Sequence, residues 1–351
     1  MSFEINSSDF TVIKNTSDWQ PRPAIKEAMG HLCSVFSEGY PGAEVGDTWV
    51  SFDNVVGRTT IFATPIDIKT PDGFHLLDRL VVKTVLPEGA WQMNDLLIVE
   101  ANTMATTGAL MVDPNTGDLV IVSSVTFLGC NGGDDGLHSI YVPLVSMAAV
   151  FHPYCLISSE SLRQFDSETN TPYELEKSNE PSCWGEEDFK SAEMALRQAG
   201  IFCNGGATGL AAEFPWDDGG VSWVTGDETS LLTFQSGMRH PNLGNGLFFK
   251  LELPDAYFEE QLVELVHHLN HLEVTGADVP PFFGAWCSHI KSGRIAYVGF
   301  LPNLAYWPGS VSHISGWLKL RAQTARATIG NFIFRDDHPQ QEGPSIVSSV
   351  K

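Results

Sequence analysis

The chain has 351 residues, with 20 Lys and Arg against 43 Asp and Glu, a formal charge of −23, and 43% of its residues are hydrophobic. That length suits two domains of ordinary size, and 21 Phe with 9 Trp exclude disorder of the whole chain, because so much aromatic surface left in water is unfavourable. The negative excess repels phosphate backbones and anionic membranes at long range, which sets aside nucleic acid and membrane in favour of a protein or peptide partner that is neutral or basic.

Residues 1–20 form a polar N-terminal segment without the basic start and apolar run of a signal peptide, which points to the cytoplasm. No stretch approaches ~18 apolar residues in a row, so no spanning helix is expected. Cys33, Cys130, Cys155, Cys183, Cys203 and Cys287 lie far apart with no Cys-x-x-Cys pair, the pattern of reduced thiols.

A first α+β repeat is expected over residues 21–156. Pro23 opens a helix whose apolar stripe is Ile25, Met29, Leu32 and Phe36. Three strands follow, the last ending at Val81-Val82-Lys83-Thr84-Val85-Leu86-Pro87. A short helix runs from Met93 to about Met104. A hairpin comes next, from Gly108-Ala109-Leu110-Met111 through the turn Asp113–Gly117 to Leu119-Val120-Ile121-Val122. A helix over Pro143 to Phe151 closes the unit. Residues 157–184, rich in Ser, Glu, Asn and Pro, read as a linker.

The same order recurs over residues 185–330. Phe189, Ala192, Leu196 and Ala199 mark an opening helix ending at Gly200. Phe248-Phe249-Lys250-Leu251-Glu252-Leu253-Pro254 repeats the pattern around Lys83. A helix starting at Asp255 carries Phe258, Leu262, Leu265, Leu269 and Leu272. The hairpin Gly284-Ala285-Trp286-Cys287, a turn at Gly293 and Ile295–Val298 keeps the nine-residue glycine spacing of the first copy. A helix over Ser312 to Thr328, with Ile314, Trp317 and Leu318, ends the unit, and residues 331–351 read as a polar tail. The fold class is α+β, two tandem repeats, each an antiparallel sheet flanked by helices.

Glu100-Ala101-Asn102 leading into Gly108-Ala109-Leu110-Met111-Val112-Asp113 and Gly117-Asp118-Leu119-Val120-Ile121 resembles the YbjN family, which is similar in fold to type III secretion chaperones. The resemblance implies a small, acidic, cytoplasmic, non-enzymatic unit that acts as a homodimer holding an extended segment of a partner. Two copies in one chain then imply a covalent pseudo-dimer. The second copy departs from the pattern by a longer connection before Gly284, and fold alone does not fix function.

Candidate chemistry is sparse. Cys130-Asn131-Gly132-Gly133 and Cys203-Asn204-Gly205-Gly206 read as turns. His267, His268 and His271 lie on one helix, where His267 and His271 fall with Glu260 and Glu264 on the side away from the leucine stripe, a solvated face without the His-Glu-x-x-His arrangement of a zinc enzyme. No metal or cofactor is expected. Cys287 and His289 leave one strand face together, and with the acidic pair Asp134-Asp135 they are the residues for an alternative hydrolase or transferase. For partner binding, Trp223, Tyr306 and Trp307 are aromatic anchors in loops. Lys319, Arg321 and Arg326 belong to a stretch with no acid from Gly316 to Arg335, a basic docking strip. The expected activity is that of a chaperone-like protein or regulatory adaptor; an inhibitor of a folded partner, as immunity proteins are, is the third reading.

Overall fold

A computed structural model describes residues 19–70, 73–87, 95–104, 107–127, 135–157, 175–215, 229–275, 281–289 and 293–336. The chain is α+β, with two antiparallel sheets and six α-helices among the described residues. Helix α1 (Pro23–Gly39) buries Ile25, Ala28, Met29, Leu32 and Phe36, the three- and four-residue spacing expected of its stripe. The first sheet contains β1 (Glu44–Val45), β2 (Trp49–Asp53), β3 (Arg58–Thr70), β4 (Gly73–Val85), β5 (Ala109–Val112) and β6 (Leu119–Phe127), ordered β1-β2-β3-β4-β6-β5. Helix α2 (Asp95–Ala101), extended by a 3-10 turn at Asn102–Met104, precedes β5, and α3 (Asp135–Ile157) follows β6. Four strands, not the expected three, precede α2, because the first is a two-residue pairing with no alternation to reveal it.

In the second half β7 (Glu176–Lys177) precedes α4 (Glu186–Gln198). The sheet is built from β8 (Phe202–Gly205), β9 (Gly209–Phe214), β10 (Ser230–His240), β11 (Gly244–Ala256), β12 (Ala285–His289) and β13 (Arg294–Pro302). Its order is β8-β9-β10-β11-β13-β12, with β7 beside β10. Helix α5 (Glu259–Thr275) lies between β11 and β12, and α6 (Ser310–Asp336) closes the described chain.

The registers of the sheets coincide at the positions that match in sequence. Lys83 lies opposite Thr60 and Val122, and Val122 opposite Ala109. Lys250 lies opposite Thr233 and Val298, and Val298 opposite Ala285. The hairpin glycines Gly117 and Gly293 both have positive φ, 76° and 65°, the left-handed conformation glycine adopts without steric cost. Gly108 and Gly284 are required for another reason. A Cβ would meet the carbonyl oxygens of Val122 and Val298 at 2.9 and 2.4 Å.

Several boundaries differ from the sequence reading. β11 runs through Leu253-Pro254 to Ala256, so α5 starts at Glu259 and Phe258 stands 82% exposed before it. Helix α3 continues through Pro143 and Pro153, and α6 runs past Gly330 to Asp336, into the expected tail. Both gain from packing what proline or glycine removes, since Tyr141, Val142, Leu144 and Val145 of α3 and Ile314, Leu318, Ala322 and Ala325 of α6 are buried. The end of the expected linker belongs to the second half: β7 pairs with β10, and Trp184, 1% exposed, donates its indole N–H to Ser310 Oγ. The Cys203-Asn204-Gly205 segment is strand β8, not a turn. Gly205 lets the strand approach α4, where a Cβ would lie 3.2 Å from the Phe189 carbonyl oxygen. Its counterpart Cys130–Gly133 lies outside the described residues.

Helices α1 and α3 cover one face of the first sheet, with Phe36 stacked on Phe52, and α4 and α6 pack together over the second. The halves meet at their edge strands: α2 reaches across to β12, and α5 across to β5 and β6. A backbone bridge between Ser124 and Phe282, N–H to carbonyl in both directions at 3.2 and 2.7 Å, ties the halves together.

Candidate functional site

The sequence of α5 sorts its side chains onto two sides. Leu262, Leu265, Val266, Leu269 and Val274 are buried, while Glu260, Glu264, His267, His268 and His271 lie on the other side. That other side borders an open cleft of about 920 Å³ between the halves. Leu96 and Asp95 of α2 and Met111, Val112 and Pro114 at the end of β5 complete it. Leu96, Met111, Val112 and Val263 give the cleft apolar walls, and Asp95, Glu259, Glu260 and Glu264 give it a negative rim, with no Lys or Arg among the described residues that line it.

The three histidines therefore line a cleft, half-buried, instead of facing open solvent. His267 Nε2–H donates to the Asp95 carbonyl oxygen at 3.3 Å, joining α5 to α2. Burial holds the His271 imidazole below its ordinary range and His268 lowers it further, against the opposing pull of Asp113. No group of three or more His, Cys, Asp or Glu side chains placed to hold a metal ion occurs among the described residues. Chemically, the arrangement sets apolar surface beside a band of carboxylates that attracts cations.

The expected partner-binding residues are not gathered into one surface. Arg321 is no docking residue: it is 2% exposed, its guanidinium forks onto both carboxylate oxygens of Glu273 at 2.8 and 2.9 Å, and it donates to the Pro281 carbonyl oxygen. Glu273 also accepts the Trp286 indole N–H, and Tyr297 lies under the guanidinium at 4.3 Å. A charge this far from water requires such compensation. Lys319 and Arg326 lie together at a separate cavity between α6 and the end of α4. Tyr306, 38% exposed, donates to Asp188 and meets the Trp184 ring edge-on, and Trp307 is half-buried against the core. Trp223 and Asp134 lie outside the described residues.

Cys287 is buried, and burial pushes its thiol up to about 12 against the attraction of Lys250, the setting of a packed, protonated cysteine. His289 sits opposite Arg294 in the edge pairing of β12 and β13, and Asp135 is the first residue of α3.

Two polar features escaped the sequence reading. Asn102 donates to the Leu110 carbonyl oxygen and accepts its N–H at 2.9 and 2.8 Å; Asn270 does the same to Trp286 at 2.8 and 2.9 Å. Each asparagine thus engages the outer backbone groups of an edge strand, directly after the Gly-Ala pair. The available signal was an asparagine before each such pair, Asn102 in the 3-10 turn after α2 and Asn270 in the last two turns of α5. The second feature is a buried chain through His152. Asn54 donates to Thr59, Thr59 to Thr84 at 2.8 Å, Thr84 to His152 Nδ1 at 3.2 Å, His152 Nε2–H to Ser123 at 2.6 Å, and Ser123 to the Thr107 carbonyl oxygen. Both His152 and Ser123 are fully buried, so this pair has no route to a substrate.

Among the described residues, no helix is long and apolar enough to cross a membrane. No protein-family model, no curated protein and no solved structure matches the chain.

Proposed function

We propose that the chain is a non-enzymatic, chaperone-like or adaptor protein of the cytoplasm, built as a covalent pseudo-dimer of two YbjN-like units and holding a neutral or basic polypeptide segment between them. The pseudo-dimer draws support from the shared strand order of the two sheets, the coincident registers at Lys83 and Lys250, and the paired asparagines Asn102 and Asn270. The observation that carries the function is the cleft between the halves, about 920 Å³ with apolar walls and a carboxylate rim. Such a cleft gains affinity by burying apolar side chains and selects basic ones by charge. The free thiols of Cys33, Cys183, Cys203 and Cys287 accord with a reducing compartment.

The test is fluorescence anisotropy of labelled peptides against the full chain, comparing one with alternating Leu and Lys to one with alternating Leu and Glu. The basic peptide is expected to bind and to weaken with salt, and the acidic peptide to bind at least about tenfold less tightly. Val263→Lys, which puts a cation on the cleft wall, should weaken the basic peptide by a similar factor while leaving the circular dichroism unchanged. Equal binding of both peptides, or binding indifferent to Val263→Lys, would overturn the assignment of the cleft.

A further inference from the structure

His267 and His271 are one helical turn apart and share a side of α5 with Glu260 and Glu264, and His268 lines the same cleft. His267 gives its Nε2–H to the Asp95 carbonyl oxygen, so Nδ1 is the nitrogen that takes up a further proton, and the imidazolium keeps the bond to α2. The charged groups around the three histidines, among the described residues, are Asp95 on α2, Glu259, Glu260 and Glu264 on α5, and Asp113 just beyond β5, which is ion-paired with Lys83 of β4 and acts on His271. On the buried side of α5, Glu273 is held by Arg321 of α6, and His289 and Arg294 face each other across β12 and β13 without lining the cleft. Histidine as a class changes charge near pH 6.5 and carboxylates near pH 4, so a step from about pH 8 to about pH 6 acts on histidine alone.

We propose that the histidine wall makes the cleft a pH-controlled site, which holds a basic segment above neutral pH and releases it on mild acidification, when imidazolium charge offsets the carboxylate rim. This regulation presupposes that the cleft is where the basic segment binds. Protonation of His267, His268 and His271 adds positive charge to the same wall that carries Glu260 and Glu264, so the cations of the segment lose attraction where they had it. His271 takes up its proton last, since burial and the neighbouring His268 both oppose its charge. Unit charges roughly 4 Å apart beside water change an affinity by about fivefold, and two imidazolium groups acting on different cations of the segment by about tenfold or more. By reciprocity, arrival of the basic segment expels protons from the histidines.

Fluorescence anisotropy of the full chain with the labelled alternating Leu and Lys peptide, at about pH 8, 7 and 6 and equal ionic strength, tests the switch. Binding is expected to be about tenfold weaker at pH 6 than at pH 8. The alternating Leu and Glu peptide is expected to respond in the opposite sense and bind more tightly at pH 6, which a general loss of the fold cannot produce. In the triple variant His267→Gln, His268→Gln, His271→Gln, affinity for the basic peptide should stay within about twofold over the same range. His31→Gln, at an exposed position of α1, should retain the full decline. Should the triple variant not fold, the opposite responses of the two peptides decide on the native chain. Basic-peptide binding that is strong at pH 8 and equal at pH 6, a parallel fall for both peptides, or a decline undiminished in the triple variant would overturn the switch while leaving the cleft as the peptide site. Absence of basic-peptide binding at pH 8 would overturn both.

Discussion

At the scale of single residues, the buried hydrogen-bond chain through His152 fixes a protonation state. Ser123 gives its one hydroxyl proton to the Thr107 carbonyl oxygen, so His152 Nε2 donates to Ser123, and in a neutral imidazole Nδ1 is then left to accept from Thr84. Burial is what holds His152 neutral, pushing its pKa down to about 3. His240 is held down to about 4 by the same cause. Because both folded values lie below the ordinary value of 6.5, the unfolded chain binds protons that the folded one refuses as pH falls from about 6.5 toward 4 and 3. Stability is therefore intact above about pH 6.5 and is lost on acidification through that window, by up to about 1.4 kcal/mol per pH unit for each histidine. Urea denaturation at pH 7.5, 6 and 5 should show the decline, and His152→Gln should make it shallower. A stability that is flat or rises toward pH 5 would contradict this account.

At the scale of elements, the paired asparagines explain how the two edge strands stay closed to other chains. β5 and β12 each present outward N–H and C=O groups, the groups through which sheets recruit foreign strands. The side-chain amides of Asn102 and Asn270 occupy them at Leu110 and Trp286. Asn270→Ala leaves both backbone groups of Trp286 without partners in a buried setting, a loss of about 2–4 kcal/mol. It should appear as a lower denaturation midpoint together with faster hydrogen exchange at Trp286, and unchanged exchange there would refute the role. The hairpins behind these clamps were legible in sequence, because a turn glycine and alternating apolar residues are local signals. The helix boundaries were less so. Asp255 resembled a helix start yet continues β11, and the prolines of α3 are overridden by burial on its apolar side. Arg321 looked like surface charge because its partner Glu273 is 48 residues away, and the cleft was invisible because the His267 and Asp95 that join its sides are 172 residues apart.

At the scale of the whole molecule, the question is whether the halves are separate domains on a string or one cooperative body. The contacts between them favour one body. The buried Arg79 of β4 uses its Nε on Thr126 within its own sheet and donates from Nη1 to the Val274 carbonyl oxygen at the end of α5. The Ser124–Phe282 bridge lies nearby on the same sheet, since Ser124 is opposite Val81 of β4. One contiguous core runs from α1 to α6 through both sheets. The last carbonyls of a helix have no partner within it, and the Arg79 guanidinium reaches that of Val274 from the other half. Arg79→Met keeps the apolar stem and removes the donors, with an expected cost of about 1.5–3 kcal/mol for the charged hydrogen bonds. If the halves fold as one, hydrogen exchange in the variant should quicken in β12 and β13 as much as in β4 and β6, and guanidinium unfolding should remain a single transition at a lower midpoint. Loss of protection confined to the first sheet, or a transition that splits in two, would show instead that each half holds itself together and that the cleft between them opens without unfolding either.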